Sequence, residues 1–250
     1  MNVKLIYLAR RADTVTREDW PRTWKSHAIF ASQFPVVEAG LDWLRYCNRV
    51  DTPTLGGKPV DLPMLSTAHD GVANVNRGPG QPVGGSGFSA EVRAQLDQDE
   101  LRVFDSLVEN FSFQCTEEAI REGLPTQCAL YFFLPRRVGT SRGEFNARWD
   151  GPHADLVRGA IGAMPAIRRY GHNHISGAPP RRFEFDGIAE IWFETQDDAV
   201  RALAENTLRP ILDDLGQFSD MDAAVPMLTA PCHGWPKDEA LLKRQQDRAG

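Results

Sequence analysis

His153, His172, His174 and Glu190 are the residues best suited by type to move protons in this chain. Histidine changes charge near neutral pH, and a carboxyl group among apolar neighbours has its pKa raised by desolvation. His153 follows Phe145 and Trp149 at four-residue spacing, so the three share one helical face. His172 and His174 alternate with Tyr170 along the extended run Arg169-Tyr-Gly-His-Asn-His174, where period two puts them on one side. Glu190 stands between Ile188 and Trp192 in Asp186-Gly-Ile-Ala-Glu-Ile-Trp-Phe193 and shares their face. If both faces line one apolar cavity, the set supports general acid–base chemistry on a small molecule. His153 and Glu190 would be acid and base, with His174 as a partner. Tyr170, His172, Trp192 and Trp149 would form the wall.

Each candidate has a plainer reading. His153 can be a core histidine bonded to a backbone carbonyl, and Glu190 a solvated carboxylate on an exposed face. The two readings of His153 stand level. The four residues could also hold a metal, but two histidines at i and i+2 on a strand are a weak ligand signal. A metal-free, cofactor-free site ranks above it. His69 and His233 read as loop histidines. Arg10, Arg11, Arg136 and Arg137 follow strand-like runs, where they could hold an anionic group or pair with surface acids.

The elements that must position these groups are written twice. Leu5-Ile-Tyr-Leu8 leads to Arg10-Arg11 as Ala129-Leu-Tyr-Phe-Phe-Leu134 leads to Arg136-Arg137. Asp19-Trp20, Trp24 and His27 answer Glu144-Phe145, Trp149 and His153. Arg45-Tyr46 answers Arg169-Tyr170, and Asp70-Gly-Val-Ala73 answers Asp186-Gly-Ile-Ala189. Leu101-Arg102 and Phe111-Ser112 answer Leu208-Arg209 and Phe218-Ser219. Matches in constant order point to two copies of one unit. The earlier copy is degraded. Asn74 and Asn76 stand where the later one has Glu190 and Trp192, so the principal cavity is expected in the later copy. Asn74 is then a substrate-wall residue, and His27 a retained but weaker catalytic candidate.

Composition agrees with a soluble two-domain protein: 250 residues, 42% hydrophobic, 25% charged and net charge −6. Nothing basic is clustered enough for nucleic acid or an anionic membrane. The start lacks a signal-peptide pattern, and no apolar run approaches the ~20 residues of a membrane span. The isolated cysteines, Cys47, Cys115, Cys128 and Cys232, suit a reduced cytoplasmic protein. The partner expected is a small hydrophobic substrate, with a homodimer compatible.

Along the chain the pattern predicts strands at 3–9, 44–50 and 70–76, then helices from Thr16 and over 89–110. A Gly/Pro-rich loop runs from Arg77 to Gly87, and a short acidic helical link from Glu117 to Glu122. Ser141 caps the next helix with Glu144, a capping-box pair, and Gly151-Pro152 threatens to break it. Strands at 168–175 and 188–193, helices over 196–206 and 210–218 and a strand at 225–229 complete the pattern. Domains of 1–124 and 125–235 follow, with a charged tail at 236–250. Each reads β-α-β-β-α-β, the ferredoxin-like unit, α+β in class, whose bare sheet face must be buried. Pairing the units sheet to sheet within one chain solves this.

The Arg-Arg pair, the Phe/Trp-x-x-x-Trp helix with its histidine, Arg169-Tyr170 with Asn173-His174, and Asp186 to Phe193 resemble the EthD family of the dimeric α+β barrel superfamily. The resemblance runs from about Leu130 to Leu228, and more weakly from Val3 to Ser112. It implies an intramolecular dimeric α+β barrel acting on small aromatic or polyketide-like metabolites. Members of that superfamily include cofactor-free monooxygenases, lactone isomerases, cyclases, dehydratases and haem-binding enzymes. The expectation drawn here is a cofactor-independent lyase, dehydratase or isomerase. The alternatives are an oxidoreductase, cofactor-free or haem-linked, and a non-catalytic ligand-binding protein.

Overall fold

The computed structural model describes residues 2–77 and 87–236. The first half holds strands β1 (Asn2–Ala9), β2 (Leu41–Arg49), β5 (Gly71–Arg77) and β6 (Ser112–Arg121), with helices α1 (Trp20–Ala31), α2 (Pro35–Ala39) and α3 (Ala90–Val103). A two-residue-per-strand hairpin, β3 (Thr54–Leu55) and β4 (Lys58–Pro59), decorates the loop after β2. The second half holds β7 (Cys128–Leu134), β8 (Ile167–Ile175), β9 (Gly187–Phe193) and β10 (Val225–Trp235), with α4 (Arg142–Arg148), α5 (Ala154–Gly162), α6 (Gln196–Ala204) and α7 (Arg209–Leu215). Among the described residues no helix is long and apolar enough to cross a membrane.

The eight long strands close a barrel in the order β1-β5-β2-β10-β7-β9-β8-β6, all antiparallel, with β6 returning to β1. Each half contributes four neighbouring strands in the ferredoxin-like order, and the fold is an intramolecular dimeric α+β barrel. The halves meet edge to edge as well as face to face: β10 pairs with β2, and β6 pairs with β8. Closure gives each of the eight strands a partner on both sides, with register shifts at Leu41/Trp43, Ala119/Arg121, Ile167/Arg169 and Pro231/His233.

Two structures explain why these residues fold this way. The inner faces meet in a core of Ile6, Phe113, Tyr131, Phe133, Ile188 and Trp192. The outer faces are covered by helices, over Trp20, Trp24 and Tyr46 in the first half and over Phe145, Trp149 and Tyr170 in the second. The loop between β1 and α1 is pinned by Asp70, whose carboxylate accepts from the Arg11 backbone at 3.0 Å and from Arg11 Nη1 at 2.5 Å. Asp186 does the same for Arg136, at 3.0 and 2.6 Å. The arginines after the first strands thus brace loops. The matching positions are Arg11 and Arg136, one residue later in the first half than the dipeptide comparison put it.

Other expectations shift. The segment read as an acidic helical link, Glu117–Glu122, belongs largely to β6 (Ser112–Arg121). Its alternation of buried Phe113, Cys115 and Glu117 is a strand's. Thr16, expected as the N-cap, does accept from the Asp19 backbone at 3.1 Å, but this caps a turn, and helix α1 itself starts at Trp20 with Asp19 at its N-cap. β2 begins at Leu41, immediately after the short α2. The break foreseen at Gly151-Pro152 is a π-turn over Trp149–His153, with Gly151 at φ −97°, ψ −105°. The rest of the Arg77–Gly87 loop beyond its ends, and the tail after Pro236, lie outside the described residues.

Candidate functional site

The pairing register of β8 and β9 separates the residues expected to converge. Gly171 pairs with Glu190 and His172 with Ala189. Directly paired residues point to the same side of a sheet, so Glu190 shares its face with Arg169, Gly171 and Asn173. Tyr170 and His172 point the other way, to the helices. Glu190 and Trp192 face the barrel interior as expected, but Tyr170, His172 and His153 do not join them. His153 and Glu190 therefore do not form one acid–base pair.

Inside the barrel Glu190 belongs to a buried ionic quartet. Lys4 Nζ donates to Glu117 Oε1 at 2.6 Å and to Glu190 Oε2 at 3.0 Å. Arg169 donates to Glu117, and its Nε lies 3.7 Å from Glu190 Oε1. Trp192 Nε1 donates to Glu190 Oε1 at 2.5 Å, and Asn173 Nδ2 to Oε2 at 3.2 Å. The Trp43 ring lies 5.4 Å from Lys4 Nζ. Burial alone would raise the Glu190 pKa, as the sequence suggested. Lys4, Arg169 and the Trp192 hydrogen bond outweigh it and hold the carboxyl at about 2. A group so acidic is a poor proton shuttle at neutral pH. Asn74 is also interior, beside the Tyr131 hydroxyl. Lys4, Glu117, Arg169 and Asn173 carry the chemistry of this interior, and the reading from sequence singled out none of them as site residues.

Beneath the second-half helices lies an aromatic stack. Trp149 stacks on His172 at 4.5 Å between ring centroids, and His153 on His172 at 5.6 Å. His153 Nδ1 is 2.7 Å from Asp214 Oδ2, while its Nε2 is buried without a partner. Both nitrogens of His172 and the Tyr170 hydroxyl are also unpartnered. Burial lowers the pKa of His153 against the pull of Asp214, and lowers that of His172 further. Burial thus favours the neutral form of both histidines, which are fully enclosed.

The first half repeats this geometry with one difference. Trp24 stacks on Tyr46 at 4.7 Å, and His27 Nδ1 lies 2.7 Å from Asp99 Oδ2. Here, however, the space between the helices and the sheet is open. A cavity of about 400 Å³ lies between α1, α2, α3 and the outer face of β1, β2 and β5. Leu5, Leu41, Leu44, Val75 and Leu96 are among its apolar lining, and its charged and titratable groups include Tyr7, His27, Arg77, Arg93 and His233 with the carboxylates Glu38, Glu100 and Glu109. Volume and lining are those of a small-molecule site. The sequence expectation placed the principal cavity in the second half, whereas this helix-covered cavity lies in the first. α1 ends at Ala31, whereas α4, the π-turn and α5 run on to Gly162, and the buried Val157 and Ile161 fill the corresponding space.

His27 is fixed by Asp99, whose carboxyl burial would raise but hydrogen bonds from His27 and Arg102 hold below its ordinary value. Nδ1 is committed, and Nε2 makes no hydrogen bond with a described residue. Such an imidazole can take a proton at Nε2, with Asp99 stabilising the resulting cation. The same arrangement presents Nε2 to a metal or a haem iron. Burial and nearby Glu100 push the Tyr7 phenol up, and burial raises Glu100 itself. Both are protonated more readily than in water. His174, next along β8 on the face of His172, is partly buried at the rim of the second-half stack, 4.9 Å from Trp149 between ring centroids. Its Nε2 is 2.7 Å from Asp150 Oδ1, and with Glu118 these donors lie within 4.8 Å of one another, a set that could hold a cation.

Residues 137–222 match the EthD domain model. No curated protein sequence matches the chain. Among solved structures, an anthrone oxidase-like protein covers 93% of this chain and 92% of its own, with TM-score 0.56 and 11% identity. A proposed monooxygenase from Fusobacterium nucleatum subsp. nucleatum ATCC 25586 covers 93% of each chain, with TM-score 0.50 and 6% identity. At such identities the likeness is one of fold, and it is the dimeric α+β barrel.

Proposed function

We propose that this chain is an oxidoreductase acting on a small aromatic or polyketide-like molecule, with its active site in the first-half cavity. The observation that carries the reading is His27, tied to Asp99 and lining an apolar cavity of about 400 Å³. In this reading His27 Nε2 takes a proton from an acidic C–H or phenolic O–H of the bound substrate. The electron-rich enolate so formed can give electrons to dioxygen. For a doubly activated methylene the balance is CH₂ plus O₂ to C=O plus H₂O. The apolar walls exclude bulk water from the anion and raise the weight of every charge around it. The likeness in fold to a proposed monooxygenase and to an anthrone oxidase-like protein supports oxidation over the lyase, dehydratase or isomerase chemistry that the sequence first suggested.

The proposal includes a duplication. Residues 1–124 and 125–235 are read as two EthD-like copies, the second kept for packing and the first for chemistry. The paired contacts of Arg11 with Asp70 and Arg136 with Asp186, and of His27 with Asp99 and His153 with Asp214, support it.

The experiment is oxygen uptake with anthrone as probe, run beside exchange of its methylene protons in deuterated water. Enzyme-dependent uptake, lost in His27→Asn, is expected. Exchange without uptake would return the chain to isomerase-type chemistry, and neither would leave a binding protein.

A further inference from the structure

Arg77 is the last residue of β5, and its side chain lines the first-half cavity while being 8% exposed. The guanidinium lies against Gly40, where an added Cβ would come 2.8 Å from Arg77 Cζ. Nε is buried and unpartnered, and the side chain forms no ion pair or hydrogen bond with a described residue. Other buried arginines of this protein are compensated. Arg169 has Glu117, and even half-exposed Arg93, in the same cavity, has Asp97 at 2.6 Å. A buried cation without a partner costs several kcal/mol, and proteins that keep one generally supply an anion. Burial lowers the Arg77 pKa, and among the described residues the Tyr7 phenol, whose own pKa is raised, is the group that opposes it. At the corresponding place in β9, the end of the strand, the second half has Phe193, and its cavity is filled.

We infer that Arg77 is the recognition site for an anionic oxygen group on the ligand, so that the cavity selects aromatic carboxylates over their neutral analogues. A guanidinium presents two parallel N–H donors to a carboxylate, a geometry that a neutral amide matches on one side alone. The apolar lining takes the ring system, and Gly40 leaves the guanidinium room to lie flat. The inference rests on the reading of this cavity as the ligand site, and goes beyond it by naming the substrate class and the residue that selects it.

The test is direct binding by calorimetry with 2-naphthoate and 2-naphthamide, a matched pair differing in charge. Wild type should bind the acid at least ~10-fold more tightly, a difference of about 1.4 kcal/mol. Arg77→Met keeps the length and apolar stem without the charge, and should bind the two alike while keeping its affinity for the amide. Arg158→Met, at a surface ion pair with Glu118 outside the cavity lining, should preserve the preference. Equal binding of both probes by wild type, or a preference that survives Arg77→Met, would overturn the inference while leaving the cavity as the ligand site. If neither probe binds wild type, both the inference and the cavity reading fall. Circular dichroism on each variant confirms folding, and Arg77→Lys, which restores a point charge, should recover part of the preference.

Discussion

His27 Nδ1 lies 2.7 Å from Asp99 Oδ2, at the wall of a cavity that reaches the apolar outer face of the first-half sheet. The bond fixes both ring orientation and tautomer, so it predicts unequal effects. His27→Asn removes the base and should lower turnover roughly 10²–10⁴-fold. Asp99→Asn still accepts from Nδ1 but cannot stabilise the imidazolium, so its loss should fall mainly on turnover, with affinity for 2-naphthoate unchanged. His153→Asn, in the enclosed second-half stack, should spare turnover in molecules that remain folded. If His153→Asn costs as much activity as His27→Asn, the chemistry belongs to the second half.

Lys4 predicts a stability effect. It sits fully buried between Glu117 and Glu190. Lys4→Met leaves two carboxylates short of one cation inside the barrel. Breaking a buried ion set this way costs about 3–5 kcal/mol. Replacing Lys4, Glu117, Glu190 and Arg169 together by apolar residues of similar volume should cost less than Lys4→Met alone. Urea unfolding measures both, and a Lys4→Met protein as stable as wild type would mean the quartet is solvated.

The quartet also sets an acid limit. The Glu190 pKa is depressed from an ordinary 4.5 to about 2. A depressed carboxyl contributes stability that is fully present above its unfolded pKa and is lost as pH falls through the folded one. Stability should therefore decline between about pH 4.5 and pH 2, by a Glu190 share on the order of 3 kcal/mol. In Glu190→Gln that share of the slope should vanish. An unchanged pH dependence would assign the acid transition to other carboxylates.

Much of this fold could be read from residue order, and the site less so. The β-α-β-β-α-β run of the second half, all but the last strand of the first, the Ser141–Glu144 capping box and the break at Gly151 are local, and local signals survive in sequence. Period two correctly grouped Tyr170 with His172, and Glu190 with Trp192. It could not say that the groups face opposite ways, because that depends on Gly171 pairing with Glu190. Likewise Arg45-Tyr46 was matched to Arg169-Tyr170, whereas the ladders set Tyr46 opposite Ala73 and His172 opposite Ala189. The true counterparts are Tyr46 and His172, each stacked on its half's tryptophan. Lys4 was passed over because its partners lie 113 and 186 residues away. One signal was available: a lone lysine on the inward-facing phase of an otherwise apolar strand. Arg77 gave none, since its importance lies in the partners it lacks among the described residues.

The cavity itself makes the last prediction. Trp24 and Trp149 pack on Gly71 and Gly187 at the starts of β5 and β9, so the two helices can be superposed on them. The π-turn adds one residue before His153 in the second half, after which Ala28 corresponds to Ala154 and Ala31 to Val157. Ala31 lines the cavity, while Val157 is fully buried in the second-half core. Substituting Ala31→Leu should therefore place apolar bulk in open space rather than in a packed core. The overpacking cost of about 1–3 kcal/mol seen in filled interiors should not appear, and Tm should hold or rise slightly. Binding of 2-naphthoate should weaken at least ~10-fold, or about 1.4 kcal/mol, because the leucine takes the volume of the ring. Val157→Ala is the converse, and should lose about 2 kcal/mol of stability from transfer and cavity terms with little change in binding. A wild-type affinity in Ala31→Leu would place the ligand elsewhere, and a large stability loss there would show that the space beside Ala31 is already filled.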